Sequence, residues 1–159
     1  QLVMAMAHRP RLLLLDEPLE GLDPVVRETV VSLIAEHLAE SPTTLLLSTH
    51  LIHEADRLAD HVGVIRGGRI VFERSRDLID ERMRRYRAVV PDDWGGLAGI
   101  GESVLRVTER GREREWTVWG EEERILGQLQ ATGARIRDVC VPTLEESVVT
   151  LLTSEEAPQ

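Results

Sequence analysis

The spacing of hydrophobic residues differs between the two halves of this chain. In the first half, the apolar runs RLLLLD and TTLLLS are short and continuous, which is typical of strands buried on both faces. Between them, after Asp23-Pro24, apolar residues recur at helical spacing, and Pro24 suits the first turn of that helix. A strand, a helix and a second strand in this order predict two parallel neighbours in one sheet.

Further elements flank this unit. Helices are predicted on QLVMAMAH, before the first strand, and on LIHEADRLAD, after the second. The segment HVGVIRGGRIVFE has two β-rich runs around Gly67-Gly68, which predicts a hairpin. We therefore expect an α/β domain over residues 1–80, with a parallel sheet and an antiparallel edge.

The second half predicts a small α+β accessory domain over residues 81–159. SRDLIDERMRR is expected to form a connecting helix capped by Ser75, and a glycine-rich loop follows it. Next come a hairpin around Gly111, a helix ended by Gly133, a strand on RIRDVCV and a helix capped by Thr143. The expected core of this domain consists of apolar residues on these elements: Trp116, Ile125, Leu129, Val139 and Leu144.

Composition narrows the class of protein. The chain has 159 residues, of which 42% are hydrophobic and 30% charged, as in globular domains. Its net charge of −9 argues against nucleic-acid binding, because contacts to phosphates need clustered positive charge. Cys140 is the one cysteine, so the chain forms no internal disulfide and suits a reducing compartment.

The candidate chemistry lies where the two apolar strands end. Asp16 and Glu17 directly follow the leucines of the first strand, and His50 follows the second. Because neighbouring parallel strands end at the same edge of a sheet, these side chains are expected to emerge together. Carboxylates in this position can hold a hard cation and accept a proton from water, although DEP alone is also a common turn sequence.

Together, these motifs resemble the ATP-binding subunit of an ABC transporter. LLLLDEP is similar to the Walker B strand, LEGLDP to the D-loop and STH to the switch-histidine strand, and the resemblance covers residues 1 to about 80. It implies the C-terminal part of a P-loop NTPase (RecA-like) sheet. Leu19 departs from the family pattern, which often has a small or polar residue there.

The resemblance also implies roles for individual residues. Asp16 is expected to bind Mg²⁺ through water, Glu17 to be the catalytic base, and His50 to sense the γ-phosphate of ATP. Asp23 lies in the loop expected to meet a second ATPase subunit in a head-to-tail dimer. ATP and Mg²⁺ are thus the implied cofactors.

The second half resembles the regulatory tail of ATPases from ABC exporters, in which a TLE helix start commonly closes the chain. This implies export through a membrane permease and a cytoplasmic location on the inner face of the cell membrane. All 19 basic residues are arginine, so the chain cannot supply the lysine of a phosphate-binding loop, G-x-x-x-x-G-K-[ST]. Since the chain also begins with Gln1, we expect that loop and the signature motif upstream, and we expect this chain alone to be inactive.

Two alternatives stay open at this point. The chain could be a non-catalytic interaction module that acts alone, or a part of an ABC ATPase outside transport. Other motifs have plainer explanations. HLIHE matches no zinc-protease pattern, so His53 is expected to be a surface histidine. RMRRYR is expected to be a solvated charged face rather than a nucleic-acid patch.

Overall fold

The computed structural model describes residues 2–97, 100 and 103–154, and it confirms the predicted fold class, an α/β unit followed by a small α+β unit. The helices of the described chain are α1 (Leu2–Ala7), α2 (Pro24–Glu40), α3 (Ile52–Ala55), α4 (Arg76–Arg82), α5 (Glu122–Ala131) and α6 (Leu144–Thr153). The strands are β1 (Leu12–Asp16), β2 (Thr44–Ser48), β3 (His61–Arg66), β4 (Arg69–Ser75), β5 (Met83–Val89), β6 (Val104–Arg110), β7 (Glu113–Trp119) and β8 (Arg135–Cys140).

The chain forms two compact units, of which the first ends at Ala59 and the second begins at Asp60. The sequence predicted a boundary near residue 80, whereas contacts group the β3–β4 hairpin and α4 with the second unit. Phe72 of β4 packs edge-to-face on Trp119 of β7, with ring centroids 5.5 Å apart. Arg66 donates from β3 to the Ser154 carbonyl at the end of α6, at 2.7 Å. The hairpin therefore belongs structurally to the second unit.

The first unit is built on the parallel pair β1–β2, as predicted. Leu13 lies opposite Leu45 and Asp16 opposite Ser48, so both strands end at the same edge. Helix α2 connects them, with Pro24 in its first turn. Met6 of α1, Leu13 of β1 and Ile34 of α2 form the buried centre of this unit.

The other face of this pair is not covered within the described residues, which corrects the prediction of strands buried on both faces. Leu14 is 63% exposed and Leu46 is 65% exposed, and Leu12 points the same way. Successive side chains of a strand point to opposite faces. Helices α1 and α2 contribute to the core on one face only, so alternate leucines stay in contact with solvent.

Two further expectations differ in detail. Helix α3 covers only Ile52–Ala55 of the predicted segment, and no side chain caps its start. The hairpin β3–β4 forms around Gly67-Gly68 as predicted, but within the described residues it is a separate two-stranded sheet rather than an edge of the β1–β2 pair.

A four-stranded sheet with strand order β6-β7-β5-β8 is the centre of the second unit, and its strands pair antiparallel. The predicted hairpin around Gly111 and the two predicted helices are present. Thr143 and Glu146 form the capping box at the start of α6. The predicted core residues Trp116, Ile125, Leu129 and Leu144 are buried, and Val139 packs against the core.

Strand β5 replaces the second part of the predicted connecting helix. Ser75 caps α4 as expected, but the chain turns into a strand at Met83. RMRRYR is therefore not a solvated helical face. Tyr86 is fully buried in the core, and neighbouring arginines pair with glutamates. These ion pairs join Arg82 to Glu121, Arg84 to Glu122, Arg85 to Glu146 and Arg87 to Glu115.

Among the described residues, no helix is both long enough and apolar enough to cross a membrane.

Candidate functional site

Asp16 lies at the carboxyl end of β1, where it faces the end of β2. The register places it opposite Ser48, whose hydroxyl donates a hydrogen bond to Asp16 Oδ1. The carboxylate stays exposed at the edge of the sheet. The last pair of residues in the parallel ladder thus presents a carboxylate and a hydroxyl side by side.

Glu17 leaves the strand with an unusual backbone conformation. Its φ is +45°, in the left-handed region that non-glycine residues rarely adopt. Its N–H still donates to the Ser48 carbonyl at 2.9 Å, so the turn begins while the chain is attached to β2. Leu19, two residues on, is fully buried. Such backbone strain costs on the order of 1–3 kcal/mol and is concentrated at functional sites.

Glu17 and His50 emerge at the same edge, as the order of the strands predicted, and the structure also brings them into direct contact. The His50 backbone N–H donates to Glu17 Oε1 at 3.1 Å, and His50 Nδ1 lies 2.9 Å from the same oxygen. The ring of His50 is 62% exposed, so its other nitrogen faces solvent. One carboxylate oxygen of Glu17 therefore contacts both the backbone and the ring of His50, two residues after the end of β2.

This contact shifts both ionisation equilibria. The hydrogen bond from the His50 side chain lowers the pKa of Glu17, and hydrogen bonds from the His50 backbone and from Thr49 act in the same direction. The hydrogen bond to Glu17 and the negative charge of Glu17 raise the pKa of His50. Glu17 is therefore ionised at neutral pH, and the protonated form of His50 is favoured beside it.

Asp23 lies at the start of α2 and has a structural role there. Its Oδ1 accepts hydrogen bonds from the N–H groups of Val25 at 3.0 Å and Val26 at 3.1 Å, as an N-cap does. Arg27 holds the preceding loop by donating to the Leu22 carbonyl at 3.0 Å. Within the described contacts Asp23 thus caps a helix, and its expected role at a dimer interface stays a prediction.

Two hydroxyl residues of the site, Ser48 and Thr49, are not predicted from the sequence. Ser48 donates to Asp16, and Thr49 contributes to the lowered pKa of Glu17. Thr49 Oγ1 also accepts from the Leu51 N–H at 3.0 Å, which shapes the loop around His50. Their position was the available signal, because both directly precede His50 at the end of a predicted strand.

The side chains of this site can be compared with the ligands that Mg²⁺ usually takes in proteins. In the part of the chain that the structure describes, no group of three His, Cys, Asp or Glu side chains could hold a metal ion. Magnesium, however, keeps several waters and is usually bound through one or two carboxylates together with substrate phosphates. An exposed Asp16 beside the Ser48 hydroxyl fits such water-mediated binding, and the remaining ligands would be water and phosphate.

No protein-family model matches this chain. Individual relatives do match. The bacitracin transport ATP-binding protein BcrA of Enterococcus faecalis is 34% identical over 105 residues, which are 66% of this chain and 34% of that protein. The methionine import ATP-binding protein MetN of Caulobacter vibrioides is 32% identical over 128 residues, or 77% of this chain and 39% of that protein. This chain is homologous to the ATP-binding proteins of ABC transporters.

Further matches lie in the same group of ATP-binding proteins. The aliphatic sulfonates import ATP-binding protein SsuB 2 of Agrobacterium fabrum is 45% identical over 87 residues, which are 55% of this chain and 34% of that protein. A solved structure of an ATP-binding subunit of an ABC transporter is 32% identical, with a TM-score of 0.43, covering 48% of this chain and 32% of that one. The chain thus spans about a third of the length of the ATP-binding proteins it matches. Their names include both transport and import proteins.

Proposed function

We propose that this chain is the C-terminal part of an ATP-hydrolysing subunit of an ABC transporter and that Glu17 and His50 carry the chemistry. The contact between Glu17 and His50, at the carboxyl ends of two parallel strands, is the observation that supports this most. In open α/β sheets, ligands bind at this edge. The homology to ATP-binding proteins indicates that the nucleotide is ATP.

Asp16 is the residue that would hold Mg²⁺ through water, with the Ser48 hydroxyl positioning its carboxylate. When bound, the ion supplies charge neutralisation to the phosphates of ATP. Asp16 stays exposed at the strand end, as a residue that binds a hydrated cation must. In this proposal, the residue that binds the metal lies on β1 and the residue that senses the phosphate lies on the loop after β2.

Glu17 acts as the general base. It is ionised at neutral pH and orients the attacking water, from which it takes a proton as the water oxygen bonds to the γ-phosphorus. The bond from that phosphorus to the bridging oxygen breaks, so ADP leaves with its electron pair and inorganic phosphate forms. The hydrogen bond from His50 lowers the pKa of Glu17 and makes it a weaker base. In the productive complex the exposed His50 ring therefore turns to the γ-phosphate, which frees one carboxylate oxygen for the water.

The same proposal extends to partners. In the whole protein the loop containing Asp23 contacts a second ATPase subunit, and the pair drives a membrane permease from the cytoplasmic face. Residues 1–80 carry the ATPase motifs and residues 81–159 an accessory function. The resemblance of the second half to exporter tails favours export, whereas import is the alternative that the names of the SsuB and MetN relatives favour.

The absence of lysine supports a second candidate, a non-catalytic module that contributes its loop and tail to a partner chain. The two candidates predict different ATP turnover in the intact protein, but both predict no turnover by this chain alone. We predict that the isolated chain hydrolyses no ATP above background and shows no micromolar site in calorimetric titration with Mg-ATP, since no lysine is present to reach the phosphates. A stoichiometric micromolar site would contradict this.

The decisive experiment substitutes Glu17→Gln in the intact protein. The amide keeps the size of the side chain but cannot accept the proton, so ATP turnover should fall about 10²- to 10⁴-fold while nucleotide affinity is nearly unchanged. Glu36→Gln is the matched control, because Glu36 is an exposed residue on α2 away from the strand ends. Normal turnover of Glu17→Gln would place the base elsewhere, and an intact protein without turnover would favour the non-catalytic module.

A further inference from the structure

The four-stranded sheet of the second unit has one apolar and one polar face. Tyr86, Trp116 and Val118 point into the core, where Ile125 and Leu129 of α5 pack against them. The alternate residues of the same strands point the other way. This second face is apolar at Met83 and Trp119 and polar around Arg85 and Thr117, and it is called the polar face below. The polar residues of this face line a cavity of about 180 Å³ that α6 closes on one side, and its wall consists of Arg85, Arg106, Thr108, Glu115, Thr117, Pro142, Glu146 and Thr150.

The pairing of strands explains why these side chains converge. Arg85 of β5 and Arg106 of β6 both lie opposite Thr117 of β7, the central strand between them. Thr108 lies opposite Glu115 in the same way. All belong to one face of the sheet, so the cavity is formed by ordered backbone rather than by a loop. Such a site is largely preformed.

The four charged side chains of the wall, two arginines and two glutamates, have formal charges that sum to zero, but they are not paired one to one. Glu146 accepts from Arg85 Nη1 at 2.6 Å, and its second oxygen accepts from the Thr143 N–H at 2.9 Å. Glu115 is paired with Arg87 at 3.2 Å. Both carboxylates of the wall are therefore already engaged. Arg106, which is exposed, forms no ion pair or hydrogen bond within the described residues, so its guanidinium has no carboxylate partner among them.

Polar groups in the wall also have unused hydrogen-bonding capacity. Thr150 is 2% exposed and Thr117 is buried as whole residues, and within residues 2–97, 100 and 103–154 neither hydroxyl forms a hydrogen bond. Neither hydroxyl oxygen is among the buried atoms without a partner, so both are accessible from the cavity, whereas the Nε of Arg85 is buried and has no partner there. Buried polar groups normally have partners, so a polar ligand or water in the cavity would complete the hydrogen bonds of this N–H and of the two hydroxyls.

We propose that this cavity on the polar face of the second unit binds a small hydroxycarboxylate anion of about the size of lactate. The guanidinium of Arg106, which has no ion-pair partner among the described residues, suits one carboxylate, and the Thr117 and Thr150 hydroxyls suit the remaining oxygens of the ligand. The volume agrees, since a cavity of about 150 Å³ holds a molecule of six carbon atoms. An amino acid is disfavoured because the engaged Glu115 and Glu146 leave no free carboxylate for its ammonium group.

The site is separate from the Glu17–His50 pair and does not depend on the proposed ATPase function. Its test is calorimetric titration of the full chain with L-lactate, L-alanine and inorganic phosphate. Lactate carries a hydroxyl group where alanine carries an ammonium group. Comparing their affinities therefore tests whether the cavity lacks a free carboxylate for the ammonium group. We expect saturable binding of lactate and at least about ten-fold weaker binding of alanine and phosphate, the loss expected for one unmatched charged hydrogen bond.

Two variants locate the ligand. Arg106→Gln should weaken lactate binding about ten- to a hundred-fold. Arg110→Gln should leave it unchanged, because Arg110 is exposed on the same strand and lies outside the cavity wall. Thr150→Val keeps the shape of the side chain but removes the hydroxyl, so it should weaken binding while circular dichroism stays unchanged.

Four results would overturn the proposal. They are the absence of saturable lactate binding, equal or tighter binding of alanine, equal binding of phosphate, and equal losses in Arg106→Gln and Arg110→Gln. If Thr150→Val fails to fold, the two arginine variants decide the question alone.

Discussion

The two units of this chain cover their sheets to different extents. In the first unit, α1 and α2 pack on one face of the β1–β2 pair, and the leucines of the other face are exposed. In the second unit, α5 packs on the apolar face of the four-stranded sheet, and α6 lies over the polar face. Apolar residues packed under a helix therefore stabilise the second unit, whereas the uncovered leucines give the first unit an apolar surface that can associate with another chain.

The largest expected effect concerns two leucines that undergo the same substitution. Leu129 is fully buried, whereas Leu14 is mostly exposed. Leu129→Ala should destabilise the chain by about 2–5 kcal/mol, because it leaves a cavity in the core. Leu14→Ala should change stability by less than about 0.5 kcal/mol. Urea unfolding, followed by tryptophan fluorescence and circular dichroism, measures both changes in stability. Equal losses of stability would show that the sheets of the two units are covered to the same extent.

A smaller effect is expected on association. The exposed leucines of β1 and β2 lie beside open strand edges, which are templates for pairing with another chain. We predict that the isolated chain self-associates and that Leu14→Ser weakens this association, up to the roughly 1.5–3 kcal/mol that burial of one leucine contributes. Sedimentation over a range of concentrations measures it.

The control for association is Val107→Ser, which removes an exposed apolar residue from β6 in the second unit. It should leave the association constant unchanged. A monomeric wild-type chain at all concentrations would contradict the comparison, and so would equal effects of Leu14→Ser and Val107→Ser.

Local signals in the sequence were sufficient for much of this fold. Pro24 after Asp23 indicated the start of α2, the Thr143–Glu146 spacing indicated the capping box, and the glycines at 67–68 and 111 indicated two hairpins. Each of these depends on residues close together in the chain. Strand β5 was missed because its arginines obscured the alternation, and their glutamate partners come from distant segments.

The candidate site was predictable for a different reason. The order of strands alone placed Glu17 near His50, because parallel neighbours end at one edge. The sequence did not reveal the left-handed backbone of Glu17 or the hydrogen bond from Ser48 to Asp16. Both depend on the register of two strands and on the path of the turn, and neither leaves a mark in composition or periodicity.

The smallest expected effect is the pH dependence contributed by the Glu17–His50 pair. The pKa of Glu17 is lowered in the folded chain, so its contribution to stability is present above the unfolded pKa of about 4.5 and is lost as pH falls through the folded value. The pKa of His50 is raised, so its contribution is present below the unfolded value of about 6.5 and is lost as pH rises through the folded one. Urea unfolding at several pH values should therefore show the largest stability difference between the wild-type chain and Glu17→Gln at about pH 4.5–6.5. A difference that does not change with pH would contradict this contribution.

The contact between Glu17 and His50 is the central claim, and NMR titration of the His50 ring tests it most directly. In the wild-type chain the pKa of His50 should lie above its ordinary value, because Glu17 Oε1 binds Nδ1. In Glu17→Gln the pKa of His50 should return toward that value, because the amide carries no negative charge. A His50 pKa that is identical in the wild-type chain and in Glu17→Gln would contradict the account.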